Sequence, residues 1–303
     1  MNSVFVLLGQ LATMSIYCLI GAVLHKTGLV NRDGCRAFSK LLLYVLLPCV
    51  IVNSFLRKRA YEDTIQLLLC GGATVLLLAA AMALSRLLLR RQPLEEFSTS
   101  FSNAGFMGIP LITMALGEET VVYIAPFVAL LNILQWTYGQ NLLLGKKQTS
   151  LRGVLLNPLV LALAAGIMLY ALPVTMPGLL RKPISAMAAC NAPIAMIILG
   201  YYLAEIPLYQ VFTEKNAWRV SFLRLLVIPA LSALLVAWLP VIGPEAKSAL
   251  VIAASAPVGI NVAVYAELLG RDYKKAVILI CHSSVLCLLT MPLIQLLMQT
   301  LLG

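Results

Sequence analysis

The sequence predicts an all-α protein that crosses a lipid bilayer many times, built as two five-helix halves of opposite orientation. Three observations carry this expectation. The 303 residues are 61% hydrophobic and only 11% charged, with a mean hydropathy of +0.95, far from the balance of a water-soluble domain. Apolar runs of about 20 residues, the length that crosses about 30 Å of hydrocarbon, recur between short charged loops. Two of those runs are interrupted by polar, glycine-rich breaks in corresponding places.

Ten runs can be marked: Val4 to Leu24, Phe38 to Leu56, Thr64 to Leu89, Phe97 to Leu116, Val121 to Leu144, Leu155 to Leu172, Ile184 to Ala204, Ala217 to Leu239, Lys247 to Leu269 and Lys275 to Leu301. The first is expected to stay as a span, because Met1-Asn2-Ser3 is no basic leader and no small-residue cleavage pattern follows Leu24. Residues 1–144 then form the first five-helix half, 145–154 a short cytoplasmic linker and 155–303 the second half.

The breaks lie in the fourth and ninth spans. Ser102-Asn103-Ala104-Gly105-Phe106-Met107-Gly108-Ile109-Pro110 interrupts one, and Ala254-Ser255-Ala256-Pro257-Val258-Gly259-Ile260-Asn261 the other. Backbone groups freed inside hydrocarbon are tolerated only where protein or a water-filled cavity satisfies them, so paired breaks point to a buried site. Other markers repeat as well. Gly21 and Pro48 are spaced as Gly166 and Pro193 are, and Leu116-Gly117 closes the fourth span as Leu269-Gly270 closes the ninth. Five spans per half is an odd number, so the second half enters the membrane in the opposite sense, and the broken spans are expected to cross at mid-membrane.

Net charge is +10, but the basic residues are scattered over short loops and form no nucleic-acid-binding face. They set orientation instead. Lys26, Arg32, Arg36, Lys40, Arg86, Arg90, Arg91, Lys146, Lys147, Arg152, Lys215, Arg219, Arg271, Lys274 and Lys275 outnumber the opposite set, Arg57, Lys58, Arg59, Arg181, Lys182 and Lys247. The positive-inside rule puts the larger set in the cytoplasm and both termini outside a cell membrane. The seven cysteines show no metal-ligand spacing and read as packing residues, so neither a zinc site nor a disulfide framework is expected.

The order and spacing of several segments resemble the auxin efflux carrier family over nearly the whole chain. They are Leu46-Leu47-Pro48, Asn103 with Met107-Gly108-Ile109-Pro110-Leu111, Asn132 with Gln135-Trp136, Pro257-Val258-Gly259-Ile260-Asn261 with Ala266-Glu267, and Thr290-Met291-Pro292. The family includes plant auxin exporters and bacterial carriers assigned to malate or malonate. The resemblance implies ten helices in two inverted repeats. Spans 1, 2, 6 and 7 would form a scaffold, and spans 3 to 5 and 8 to 10 a transport domain moving as an elevator, in a homodimer. The long central loop of many plant exporters is absent, and Val262 and Glu267 replace the proline and lysine common there, which argues against auxin itself.

At the crossing, Pro110 suits the first turn of a restarted helix and Asn261 suits an N-cap. Two helix N-termini would face one cavity with free N–H groups, which fits a carboxylate. The substrate-binding candidates are Asn103, Gly105, Gly108, Pro110, Pro257, Gly259 and Asn261, with Asn132 and Gln135 bracing the break and Asn53 on the scaffold side. Asn103 also reads as an interhelical packing bond. Candidates for ion coupling are Glu267, His282 and Ser283, with Na+ or H+ as the coupling ion and no other cofactor. Glu267 reads equally as a helix-end acid reaching Arg271, and His282 as a packing residue. Tyr201, Tyr202 and Trp218 read as markers of the membrane interface.

No hydrolase, zinc-protease, prenyl-diphosphate or Walker signature is present, so an intramembrane enzyme is not expected. The reading is a secondary or potential-driven carrier of a small organic anion. The alternative is a sodium-coupled organic-anion symporter of the bile-acid type, which shares the broken-helix crossing.

Overall fold

The computed structural model describes residues 2–56, 61–145, 156, 158–172 and 176–302. The charged residues Arg57, Lys58, Arg59, Lys146, Lys147 and Arg152, most of the linker, and the side chains of Pro110 and Glu118 lie outside the described residues.

Helices make up most of those residues: α1 (Asn2–Lys26), α2 (Arg32–Ser54), α3 (Tyr61–Leu88), α4 (Pro93–Ser100), α5 (Ile109–Leu116), α6 (Glu119–Leu144), α7 (Pro158–Ala171), α8 (Gly178–Leu203), α9 (Lys215–Ala237), α10 (Pro244–Ser255), α11 (Asn261–Leu268) and α12 (Tyr273–Leu302). Among the described residues, six helices are long and apolar enough to cross a membrane by themselves: those within α2, α3, α6, α8, α9 and α12. Shorter apolar helices lie in α1, around Ala104–Thr113 and in α7. The outer surface carries Leu19, Leu68, Leu87, Leu179, Trp238 and Leu289 largely exposed, a face suited to lipid.

Local chemistry explains several features. Asn31 caps α2 by accepting the Gly34 N–H at 2.8 Å. Within α2 and α9, wide π turns at Leu42–Leu46 and Leu223–Val227 come just before Pro48 and Pro229. A proline has no N–H and crowds the carbonyl four residues back, and a widened turn relieves both problems. α1 packs along α8 with backbone against backbone. A Cβ on Gly21 would strike the Ile197 carbonyl, and one on Gly200 the Cys18 carbonyl.

Both broken spans are broken here. α4 stops at Ser100, Phe101 is extended (φ −117°, ψ 119°), and helical structure resumes in a π turn at Ala104–Gly108 that runs into α5. α10 stops at Ser255, Ala256 is extended (φ −60°, ψ 148°), and α11 begins at Asn261. The extended pieces pair antiparallel as an isolated bridge between Ser102 and Val258. The Asn103 N–H donates to the Pro257 carbonyl at 2.8 Å, and the Gly259 N–H to the Phe101 carbonyl at 3.1 Å. α5 ends at Gly117 (φ +98°) and α11 just before Gly270 (φ +66°), conformations that suit glycine.

Three sequence expectations are corrected. The first helix after the fourth-span break starts at Ala104 rather than at Pro110, because a π turn precedes the α-helical segment. Ile260, not Asn261, holds the cap position of α11, since the Asn261 side chain bonds to α6 instead. Tyr201 and Tyr202 are buried, with Tyr201 edge-on to His25 and the Tyr202 hydroxyl against Ser39. Glu95 and Glu96 are buried too, although they stand just outside the predicted fourth span. Glu96 takes hydrogen bonds from Arg86 and Tyr138, and Glu95 from Asn216 and Lys275, which is how α4 can begin with two acids below the surface.

Candidate functional site at the crossing

The bridge holds two unwound segments side by side, and a small cavity lies against it. Its volume is about 10 Å³, room for one water-sized group. Ser102, Asn103, Asn132, Gln135, Asn191 and Asn261 supply its polar lining, Gly105 and Gly259 its open backbone, and Leu47, Val50, Phe106 and Ile260 part of its apolar wall. Asn103 and Ile260 also line a second, mostly apolar cleft of about 560 Å³ between α1, α8 and α12.

Asn261 is fixed by α6: its Nδ2 donates to Asn132 Oδ1 at 3.1 Å and to Gln135 Oε1 at 2.8 Å. Asn132 in turn donates to the Val128 carbonyl at 2.7 Å. Several buried polar atoms around the cavity have no hydrogen-bond partner among the described residues: Ser102 Oγ, Asn103 Oδ1, Gln135 Nε2, Asn191 Oδ1 and Asn261 Oδ1. Leaving one such atom unpaired costs about 1–3 kcal/mol, so a polar group in this cavity, a water included, would be stabilised by the cluster. Beneath it, the Arg224 guanidinium of α9 donates to the carbonyls of Thr99 (3.0 Å), Ser100 (3.4 Å) and Ala254.

The other candidates take other places. Pro257 contributes its carbonyl to the bridge, and Gly108 sits 3.5 Å, measured to an added Cβ, from the Ala253 Cα, where the two broken spans touch. Neither is among the residues lining the small cavity, and Asn53 is not either. Asn53 Oδ1 accepts from Ser185 Oγ at 2.7 Å and joins α2 to α8.

The ion-coupling candidates each have a partner of their own. Glu267 does not reach for Arg271 or the cavity. It accepts from Arg32 Nε at 3.0 Å, Arg32 Nη2 at 3.1 Å and Arg36 Nε at 2.9 Å, because α11 ends against the start of α2. His282 is turned toward α9, with Nδ1 2.7 Å from Ser221 Oγ and Trp218 edge-on to its ring. Ser283 serves the crossing directly. Its hydroxyl accepts the Val258 N–H at 3.1 Å and donates to the Ile280 carbonyl at 3.0 Å.

Sequence reasoning missed Asn191 and Arg224. Each is a strongly polar side chain well inside an apolar run, and that placement was the available signal.

The sequence pattern of the family described as "Membrane transport protein" matches residues 6–152 and 147–295. A protein of Rhizobium meliloti (strain 1021) named "Putative malonate transporter" is 26% identical over 266 residues, covering 82% of this chain and 82% of that protein. With nearly its whole length matched, the chain belongs to the membrane transport protein family of auxin efflux carriers, and it is a membrane-embedded transporter rather than an enzyme.

Proposed function

We propose that the protein is a carrier of a small mono- or dicarboxylate, binding it at the crossing and moving it by alternating access. The observation that carries this reading is the bridge between Ser102 and Val258 at two helix N-termini, with the unpaired donors Gln135 Nε2 and Ser102 Oγ beside it. The two helix N-termini, with the unpaired Gln135 Nε2 and Ser102 hydroxyl as side-chain donors, would stabilise a carboxylate without the cost of a buried lysine in the pocket itself. The malonate named for the relative is a molecule of this class.

In this reading the chain has ten spans in two inverted repeats, α4 with α5 and α10 with α11 each counting as one broken span. α1, α2, α7 and α8 form the scaffold, and α3 to α6 with α9 to α12 the part that rides past it. A cavity of about 10 Å³ is too small for malonate, so the conformation described is the closed one, and loading requires opening toward the cleft at Asn103. Two copies form the working unit, both termini face outward, and Na+ or H+ drives uptake where the membrane potential opposes it. An anion leaving an inside-negative cell needs no such ion, gaining about 2.3 kcal/mol per charge per 100 mV.

The test is a thermal-shift screen of organic acids on purified protein, with and without sodium at several pH values, followed by counterflow of labelled malonate in proteoliposomes. The expected result is stabilisation by small carboxylates and saturable exchange. No stabilisation by any carboxylate ends the anion reading, and large unsaturable flux replaces the carrier with a channel.

A further inference from the structure

Four helix ends meet at the crossing. α4 and α10 arrive with their C-termini, while the helical segment from Ala104 and α11 leave with their N-termini. Each end carries about half a charge, negative at a C-terminus and positive at an N-terminus, so the four together would cancel. Arg224 breaks that balance. It is 2% exposed, sits in the π turn Leu223–Val227 of α9, and makes no ion pair with a carboxylate among the described residues. Its Nη1 reaches the last-turn carbonyls of α4 at Thr99 and Ser100, and its Nη2 the last-turn carbonyl of α10 at Ala254.

We infer that Arg224 is the positioning residue that sets the sign of charge the crossing accepts: one guanidinium caps both incoming C-termini and leaves both outgoing N-termini uncompensated toward the cavity. Its full positive charge offsets about two half-charges, so the excess positive potential falls where Asn103 and Asn261 stand. A buried cation is costly without partners, and here carbonyls of two different helices supply them. The same contacts tie α4 and α10 to α9, so the guanidinium also fixes the depth at which both helices stop. Arginine suits this better than lysine, because its planar fork serves two acceptors in different directions.

This rests on the carrier reading and deepens it. The experiment measures binding of malonate, a dianion, and of its monomethyl ester, a monoanion, to full-length purified protein and to Arg224→Gln and Arg224→Lys variants that elute as single folded species. For Arg224→Gln, malonate affinity is expected to fall about tenfold and ester affinity less, so that the preference for the dianion shrinks. Arg224→Lys keeps that preference with weaker binding of both. Equal loss of both ligands in Arg224→Gln makes the residue merely structural and overturns the inference, as does binding unchanged from wild type. If Arg224→Gln does not fold, Arg224→Lys decides, and loss of dianion preference in that charge-retaining variant overturns the assignment. Wild-type protein that binds neither ligand removes the carboxylate reading itself, and this inference with it.

Discussion

Glu267 and Arg32 are joined by two hydrogen bonds, at 3.0 and 3.1 Å, across 235 positions of sequence. Arg36 adds a third, and the Arg32 guanidinium lies 5.1 Å from the centre of the Tyr273 ring. Tyr273 and Lys274 in turn meet Glu205, just beyond the end of α8. The cluster therefore ties α2 and α8 to α11 and α12, the two groups of helices that the proposed elevator would slide past one another.

Breaking that tie is expected to change turnover while leaving malonate binding alone. Glu267→Gln removes the buried charge, and a double-mutant cycle with Arg32→Gln should give a coupling of about 1 kcal/mol, kept modest because Arg32 is half exposed. Chemical denaturation and counterflow rates measure the two quantities. A coupling near zero would show that the pair holds nothing.

The two asparagines of the crossing should behave differently. Asn103 has no side-chain partner for its Oδ1, so Asn103→Ala should leave stability within about 0.5 kcal/mol while abolishing the thermal shift given by carboxylates. Asn261→Ala strips two hydrogen bonds from Asn132 and Gln135 and should cost about 1–3 kcal/mol as well as binding. Melting curves with and without malonate separate the cases, and a wild-type response in both variants would place the substrate elsewhere.

Glycines at the crossing should differ in tolerance. A Cβ at Gly259 would stand 3.1 Å from the Ser102 carbonyl and 3.4 Å from that of Phe101, both backbone, so Gly259→Ala should force the bridge apart. At Gly108 the nearest atom is 3.5 Å away, an ordinary contact, and Gly108→Ala should change stability by less than about 1 kcal/mol. Folded yield and melting temperature after purification read the contrast, and equal tolerance would contradict the described bridge.

Ser283→Ala should leave the Val258 N–H without its acceptor beside the bridge, at a cost of about 1–3 kcal/mol. Sodium and pH dependence of transport should stay as in wild type, because the hydroxyl serves the backbone. A lost sodium response with unchanged stability would return Ser283 to an ion-coupling role.

The breaks could be read from the chain because glycine, proline and asparagine stand out against leucine and alanine in a membrane run. Their location and their pairing with one another were within reach of that pattern, whereas the bonds from Asn261 to Asn132 and Gln135 were not. Partners were not. Glu267 was assigned Arg271 or the cavity because periodicity sees only neighbours on one helix, whereas Arg32 and Arg36 come from the other end of the chain. His282 shows the same blindness, since nothing local says that Ser221 faces it. Arg224 stands in neither set of loop charges, and only three-dimensional placement shows it between two helix ends.

Two backbone hydrogen bonds across Ser102 and Val258 also bind the lengths of the two breaks together. Adding or deleting a single residue in either would shift the pairing by one position and turn the following side chains to the opposite side, carrying Asn103 or Asn261 away from its place. A lasting insertion or deletion in one break therefore calls for a matching change in the other, so related proteins should show breaks that lengthen and shorten as a pair.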